Sequence, residues 1–134
     1  MKITLKNNQI IELSDNCVER VENNFLYYNR ELINLNLPKL KYVGNNFLCR
    51  NEKLTELYFP NLKKIGDFFL SENERLTELN FLNLELVGNN FLNHNEELIK
   101  LNLPKLKRAG NDFLYFNERL NKINLPKLRW VGNN

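Results

Sequence analysis

The stretch LTELYFPNLKKIGDFFLSENER, residues 54–75, is followed directly by LTELNFLNLELVGNNFLNHNEE, residues 76–97, and the two align position for position. Outward from this pair the same spacing holds in both directions. Gly44, Gly66, Gly88, Gly110 and Gly132 are each 22 residues apart, as are Leu32, Leu54, Leu76, Leu98 and Leu120. Phe25, Phe47, Phe69, Phe91 and Phe113 keep the step, and each is followed four residues later by Asn29, Asn51, Asn73, Asn95 or Asn117. A period of this length, held without slippage, is the mark of an array in which each unit buries its apolar face against the next.

Within a unit, the alternation through Leu35-Asn36-Leu37 or Leu57-Tyr58-Phe59 predicts a short half-buried strand, and strands one period apart must pair in parallel. Pro38, Pro60, Pro104 and Pro126 lack an amide donor and should end that strand; Leu82 takes the place once. A second apolar pair, such as Leu62 and Ile65, leads to the glycine, which suits a turn with positive φ. Phe-Leu-x-x-Asn then predicts a short turn of helix, too brief to stand alone and held by a buried column of phenylalanines. The expected core is a stack of ladders.

The 134 residues suffice for one domain of this kind. Residues 1–9 read as an amino-terminal cap strand, 10–31 as a degenerate first repeat, 32–119 as four regular repeats and 120–134 as a partial last one. In the first repeat Leu13 keeps a core position, while Asn16 and Glu22 stand where later units have Pro and Gly. The final coil reads as uncapped, so monomer and homodimer through that coil are both expected states.

These units resemble leucine-rich repeats, in particular the BspA-like bacterial subtype, which has a similar strand, Pro, Ile-Gly and Phe-x-x-Cys/Asn arrangement. The resemblance covers about residues 10–134. It implies a right-handed, parallel-stranded leucine-rich-repeat solenoid of about five full repeats and a partial sixth. In function it implies binding, since solenoids of this kind serve as adhesins, receptors, inhibitors and scaffolds. This chain departs from the usual pattern in its 22-residue step and in having Asn where Cys is frequent.

Chemistry-bearing residues are sparse. His94 is the single histidine, and its counterparts Tyr28, Arg50, Glu72 and Phe116 share no chemistry, so the column reads as variable and outward-facing. Neither a metal-ligand cluster nor a nucleophile held against a base is visible, and the chain reads as no enzyme, with no cofactor. Glu52, Glu74, Glu96 and Glu118 recur at one position, as a solvated edge does. The Asn29 to Asn117 column reads as structural amides bonding to turns of adjacent coils. Cys17 and Cys49 fall at different phases of the repeat and read as free thiols.

Three surface features point to a partner. On the strand face one outward column runs Glu12, Asn34, Glu56, Glu78, Lys100, Lys122, and the other runs Ser14, Asn36, Tyr58, Asn80, Asn102, Asn124, with Tyr58 the expected anchor. After the proline, Lys39, Lys41, Lys63, Lys64, Lys105, Lys107, Arg108, Lys127 and Arg129 gather nine of the 19 cationic side chains on one flank, interrupted by Asn83, Glu85 and Leu86. Apolar residues, among them Tyr42, Leu82, Leu86 and Trp130, lie beside that stripe, and Tyr27, Tyr28, Tyr115 and Phe116 gather near the predicted helical turns.

The leading expectation is a protein-binding module that engages a protein or ribonucleoprotein partner through the strand face and basic flank. A looser likeness to small leucine-rich-repeat proteins suggests one version, a phage- or prophage-borne inhibitor of the anti-CRISPR kind. A minimal surface adhesin or receptor fragment is the second reading, and direct RNA binding along the cations the third. No apolar run resembles a signal peptide or a bilayer span, which favours the cytoplasm, that of a host if phage-encoded, and no membrane partner.

Overall fold

A computed structural model describes residues 2–4, 10–12 and 17–133. The amino-terminal strands β1 (Lys2–Thr4) and β2 (Ile10–Glu12) pair antiparallel, with Lys2 opposite Glu12. The expectations for Leu13, Ser14 and Asn16 lie outside the described residues.

From residue 17 on, the chain is a parallel-stranded solenoid of stacked coils. One set of strands is two residues long: β3 (Arg20–Val21), β5 (Tyr42–Val43), β7 (Lys64–Ile65), β9 (Leu86–Val87), β11 (Arg108–Ala109) and β13 (Trp130–Val131). These form one continuous six-stranded sheet, the flank sheet. The other set is three residues long: β4 (Asn34–Asn36), β6 (Glu56–Tyr58), β8 (Glu78–Asn80), β10 (Lys100–Asn102) and β12 (Lys122–Asn124). Every parallel pair is in register one period apart, as Lys100 opposite Glu78 and Ala109 opposite Val87.

The prolines behave as their chemistry demands. Pro38 and Pro60 follow β4 and β6 by two residues, inside turns closed by Leu40 N–H donating to the Leu37 carbonyl at 3.1 Å and Leu62 N–H to that of Phe59 at 3.2 Å. The unit with Leu82 closes the same turn, at 3.4 Å, so proline aids this turn without being required for it.

Two local expectations are corrected. No helix occurs among the described residues. The segments after each glycine instead place alternate residues in the left-handed region, as Asn46, Leu48 and Arg50 at φ 57°, 57° and 60°. Such conformations are costly for residues with a Cβ. They persist because they aim the amides at neighbouring coils: Asn46 N–H donates to the Asp67 carbonyl and Leu48 N–H to that of Phe25. A helical turn would direct those groups within its own coil.

The glycines, in turn, have no positive φ. Their reason is close approach. A Cβ on Gly88 would lie 2.3 Å from Asp67 Oδ1 and 2.6 Å from the Gly66 carbonyl carbon, so no side chain fits. What fills that space is a ladder of Asn and Asp side chains: the Asp67 amide donates to Asn45 Oδ1 at 2.9 Å, and the Asn89 amide to Asp67 Oδ1 at 2.8 Å.

The core supplies the stability. Phe47, Phe69 and Phe91 are fully buried, with successive ring centroids at 5.9 and 5.7 Å. Each buried large side chain contributes roughly 1.5–3 kcal/mol, against about 0–1 for an exposed ion pair. Asn51, Asn73 and Asn95 are buried beside them, and each donates its amide to a carbonyl 25 residues earlier, Leu26, Leu48 and Leu70 respectively, at 2.8 Å. Those bonds satisfy turn carbonyls that water does not reach, which agrees with the structural reading of the column.

Candidate interaction surface

On the strand face, outward side chains lie in rows because parallel register stacks equivalent positions. Where the row is uniform it zips: Asn102 Nδ2 donates to Asn80 Oδ1 at 2.8 Å, Asn124 Nδ2 to Asn102 Oδ1 at 2.7 Å, and Lys100 pairs with Glu78 at 3.3 Å. Asn34, Asn36, Glu56, Tyr58, Glu78, Asn80, Lys100, Lys122 and Asn124 are all exposed, and Asn102 is half-buried.

The zip fails between β6 and β8. The strand face is two sheets, β4–β6 and β8–β10–β12, with no pairing between β6 and β8. Elsewhere the ladder continues past the strand ends, Leu37 N–H donating to the Tyr58 carbonyl and Ile99 N–H to that of Thr77. No equivalent bond joins Phe59 N–H to Asn80 or Thr77 N–H to Thr55 among the described residues.

Three side-chain features coincide there. Phe59 and Phe81, stacked with centroids 6.3 Å apart, fill core positions held by Leu37, Leu103 and Leu125 in other coils. That separation is wider than the 5.6–6.0 Å between successive rings of the Phe25 to Phe113 column. Glu56 faces Glu78, so like charges meet here, whereas Glu78 and Lys100 at the next junction form an opposite pair. Tyr58 faces Asn80 and interrupts the amide row.

As a result Leu57 is half-exposed, whereas Leu35, Leu79 and Leu101 are 1–4% exposed. A cavity of about 900 Å³ opens over it, lined by Glu56, Tyr58, Thr55, Arg75, Thr77 and Glu78. A smaller one of about 370 Å³ lies against Tyr58, Pro60 and Leu82. Tyr58, 58% exposed, lines both.

The basic flank is more nearly neutral than its composition implies. Lys41 pairs with Glu19 at 2.9 Å, Lys107 with Glu85 at 2.7 Å, and Lys105 donates to Asn83 Oδ1 at 2.7 Å. The hydrogen bond and charge of Lys41 hold the Glu19 carboxyl below its ordinary range, and Lys107 does the same for Glu85. Arg108 lies over the Trp130 ring at 5.3 Å. Lys39, Lys63, Lys64, Lys127 and Arg129 are exposed with no ion pair among the described residues, so the free cations are discontinuous.

Ion pairs one period apart were not anticipated, although the signal was available as Lys and Glu alternating down a column. Arg50–Glu72, Lys53–Glu31 and Arg30–Glu52 follow this rule on the outer turns. The Asn/Asp ladder after each glycine was missed for the same reason. His94 stacks on Phe116 at 4.6 Å and Tyr115 packs edge-on to Phe116 at 4.3 Å, so the variable column has its own packing. Cys17 is exposed and Cys49 buried, both free, and burial pushes the Cys49 thiol up to about 11.

Searches of curated proteins and of solved structures returned no match. The family model described as "BspA type Leucine rich repeat region" matches residues 19–134 in six copies, as the stacked coils and their ladders require. The chain belongs to the BspA-type leucine-rich repeat family.

Proposed function

We propose that the chain is a protein-binding module whose partner docks on the strand face around Tyr58, with Lys63 and Lys64 at the margin of the footprint. One observation carries this reading: Tyr58 stands half-free over two adjoining cavities at the break between β6 and β8. A large aromatic ring beside unfilled apolar and polar space is hot-spot chemistry. The reading needs no chemistry from the chain itself.

Protein is preferred over RNA because the flank alternates free cations with neutralised ones, which breaks a phosphate-tracking row. Affinity capture with the parent, Tyr58→Ala and Lys63→Glu/Lys64→Glu tests the reading. Tyr58→Ala should lose the partner. If both variants retain everything the parent retains, the surface is wrong. Loss in the lysine variant as well supports the occluding inhibitor of a ribonucleoprotein; loss in Tyr58→Ala alone supports an adhesin- or receptor-like use of the strand face. Retention of naked RNA that collapses steeply with salt replaces the protein reading.

A further inference from the structure

We propose that the seam between β6 and β8 receives an arginine side chain presented by the protein partner, its guanidinium set between Glu56 and Glu78 and against the Tyr58 ring. The proposal rests on the strand-face reading and adds the chemistry that the seam selects.

The broken rungs leave carbonyl acceptors in a slot, beside the Phe59 and Thr77 N–H groups. By the pattern of the neighbouring rungs, the Thr55 and Asn80 carbonyls are those left without an inter-coil donor, since Ile33 and Thr77 accept from Thr55 and Ile99, and Tyr58 and Asn102 accept from Leu37 and Phe81. On the rim stand two carboxylates. Glu56 has no ion pair among the described residues, and Glu78, two-thirds exposed, shares its charge with Lys100 at 3.3 Å. A cation between them relieves the repulsion between the two carboxylates.

A guanidinium suits this better than an ammonium. It is planar, so it enters a slot between splayed strands; its five donors can serve carbonyl and carboxylate acceptors together; and its face stacks on an aromatic ring. An inserted β-strand suits it less, because the flank strands β7 and β9 remain paired and hold the coils together on that side. Arg75 lines the same cavity without an ion pair among the described residues and is the chain's own rival for the slot.

The probe is N-acetyl-arginine methylamide, titrated into the ¹⁵N-labelled full chain at low salt and followed by amide chemical shifts. The proposal expects saturable shifts centred on Leu57, Thr77, Glu78 and Asn80, with the lysine analogue several-fold weaker and the glutamate analogue silent. Glu56→Gln/Glu78→Gln should weaken binding by about tenfold or more, equivalent to about 1.4 kcal/mol, while Arg75→Gln binds at least as well as the parent. Shifts scattered over all surface carboxylates, no saturation, an undiminished response in the double glutamine variant, or loss in Arg75→Gln would overturn it. Because no partner is present, a silent probe alongside Tyr58-dependent capture removes this inference and leaves the strand-face reading intact.

Discussion

The junction between residues 54–75 and 76–97 differs from its own far side as much as from any other junction. On the flank, Lys64 pairs with Leu86 and Ile65 with Val87, and Gly88 N–H donates to the Ile65 carbonyl at 3.1 Å. On the strand face, about eight residues earlier in each coil, the same two coils share no ladder. Nor does any of the inter-coil ion pairs among the described residues cross this junction, whereas Lys100–Glu78, Lys107–Glu85 and Arg119–Glu97 all tie the next one. A solenoid can therefore open one face locally while glycine, amide and phenylalanine columns keep the coils stacked. Such local openness is what a repeat protein needs to make one of many equivalent positions special.

The closed side should be the more fragile to substitution. Gly88→Ala places a Cβ against the Gly66 backbone, which cannot yield as a flexible side chain does. It should cost on the order of 4 kcal/mol and lower the urea midpoint sharply. A loss below about 1 kcal/mol would mean that the coils do not approach as closely as described.

Next in size is the phenylalanine pair at the seam. Phe59→Leu/Phe81→Leu removes the ring bulk at this junction, at a cost on the order of 1 kcal/mol per site. Its distinctive result is a gain: Thr77 and Phe59 amides should become slower to exchange as the strands close. Unchanged exchange would show that Glu56 and Glu78, and not the rings, hold the seam open.

Tyr58→Ala should shift stability by about 0.5 kcal/mol or less, since the ring is mostly exposed, while abolishing partner capture. A large destabilisation would make Tyr58 structural. Smallest of all is the effect of pH. Glu19 and Glu85 have carboxyls lowered by Lys41 and Lys107, so their contribution is present above the ordinary carboxylate pKa and is lost as pH falls through the lowered value. Lys41→Met and Lys107→Met should flatten the acid limb of the stability profile slightly, without moving its neutral plateau. Equal acid sensitivity in parent and variants would remove those pairs from the account.

Most of the fold was legible because stacking writes itself into the sequence as columns. The Leu and Phe columns announced the core, and the prolines announced the strand ends. Two inferences failed where one unit was considered alone. A short Phe-Leu-x-x-Asn segment looks helical until its amides are assigned to neighbouring coils, and Gly44 to Gly132 look like turn residues until the Asn and Asp side chains beneath them are counted. The seam was half legible: Tyr58 stood out, but the Glu56–Glu78 and Phe59–Phe81 coincidences appear only when adjacent members of each column are compared. The flank misled because composition counts lysines and not the glutamates beside them, such as Glu19 and Glu85.

Amide hydrogen exchange read residue by residue compares the two sides most directly. The Thr77 amide, on the open face, should exchange much faster than those of Thr55, Ile99 and Asn121 at the same position in other coils, while Glu85 and Gly88, on the flank of the same junction, stay as protected as Lys107 and Gly110. Protection of Thr77 equal to that of Ile99, or joint loss at Glu85 and Gly88, would contradict a junction that is open on one face and closed on the other.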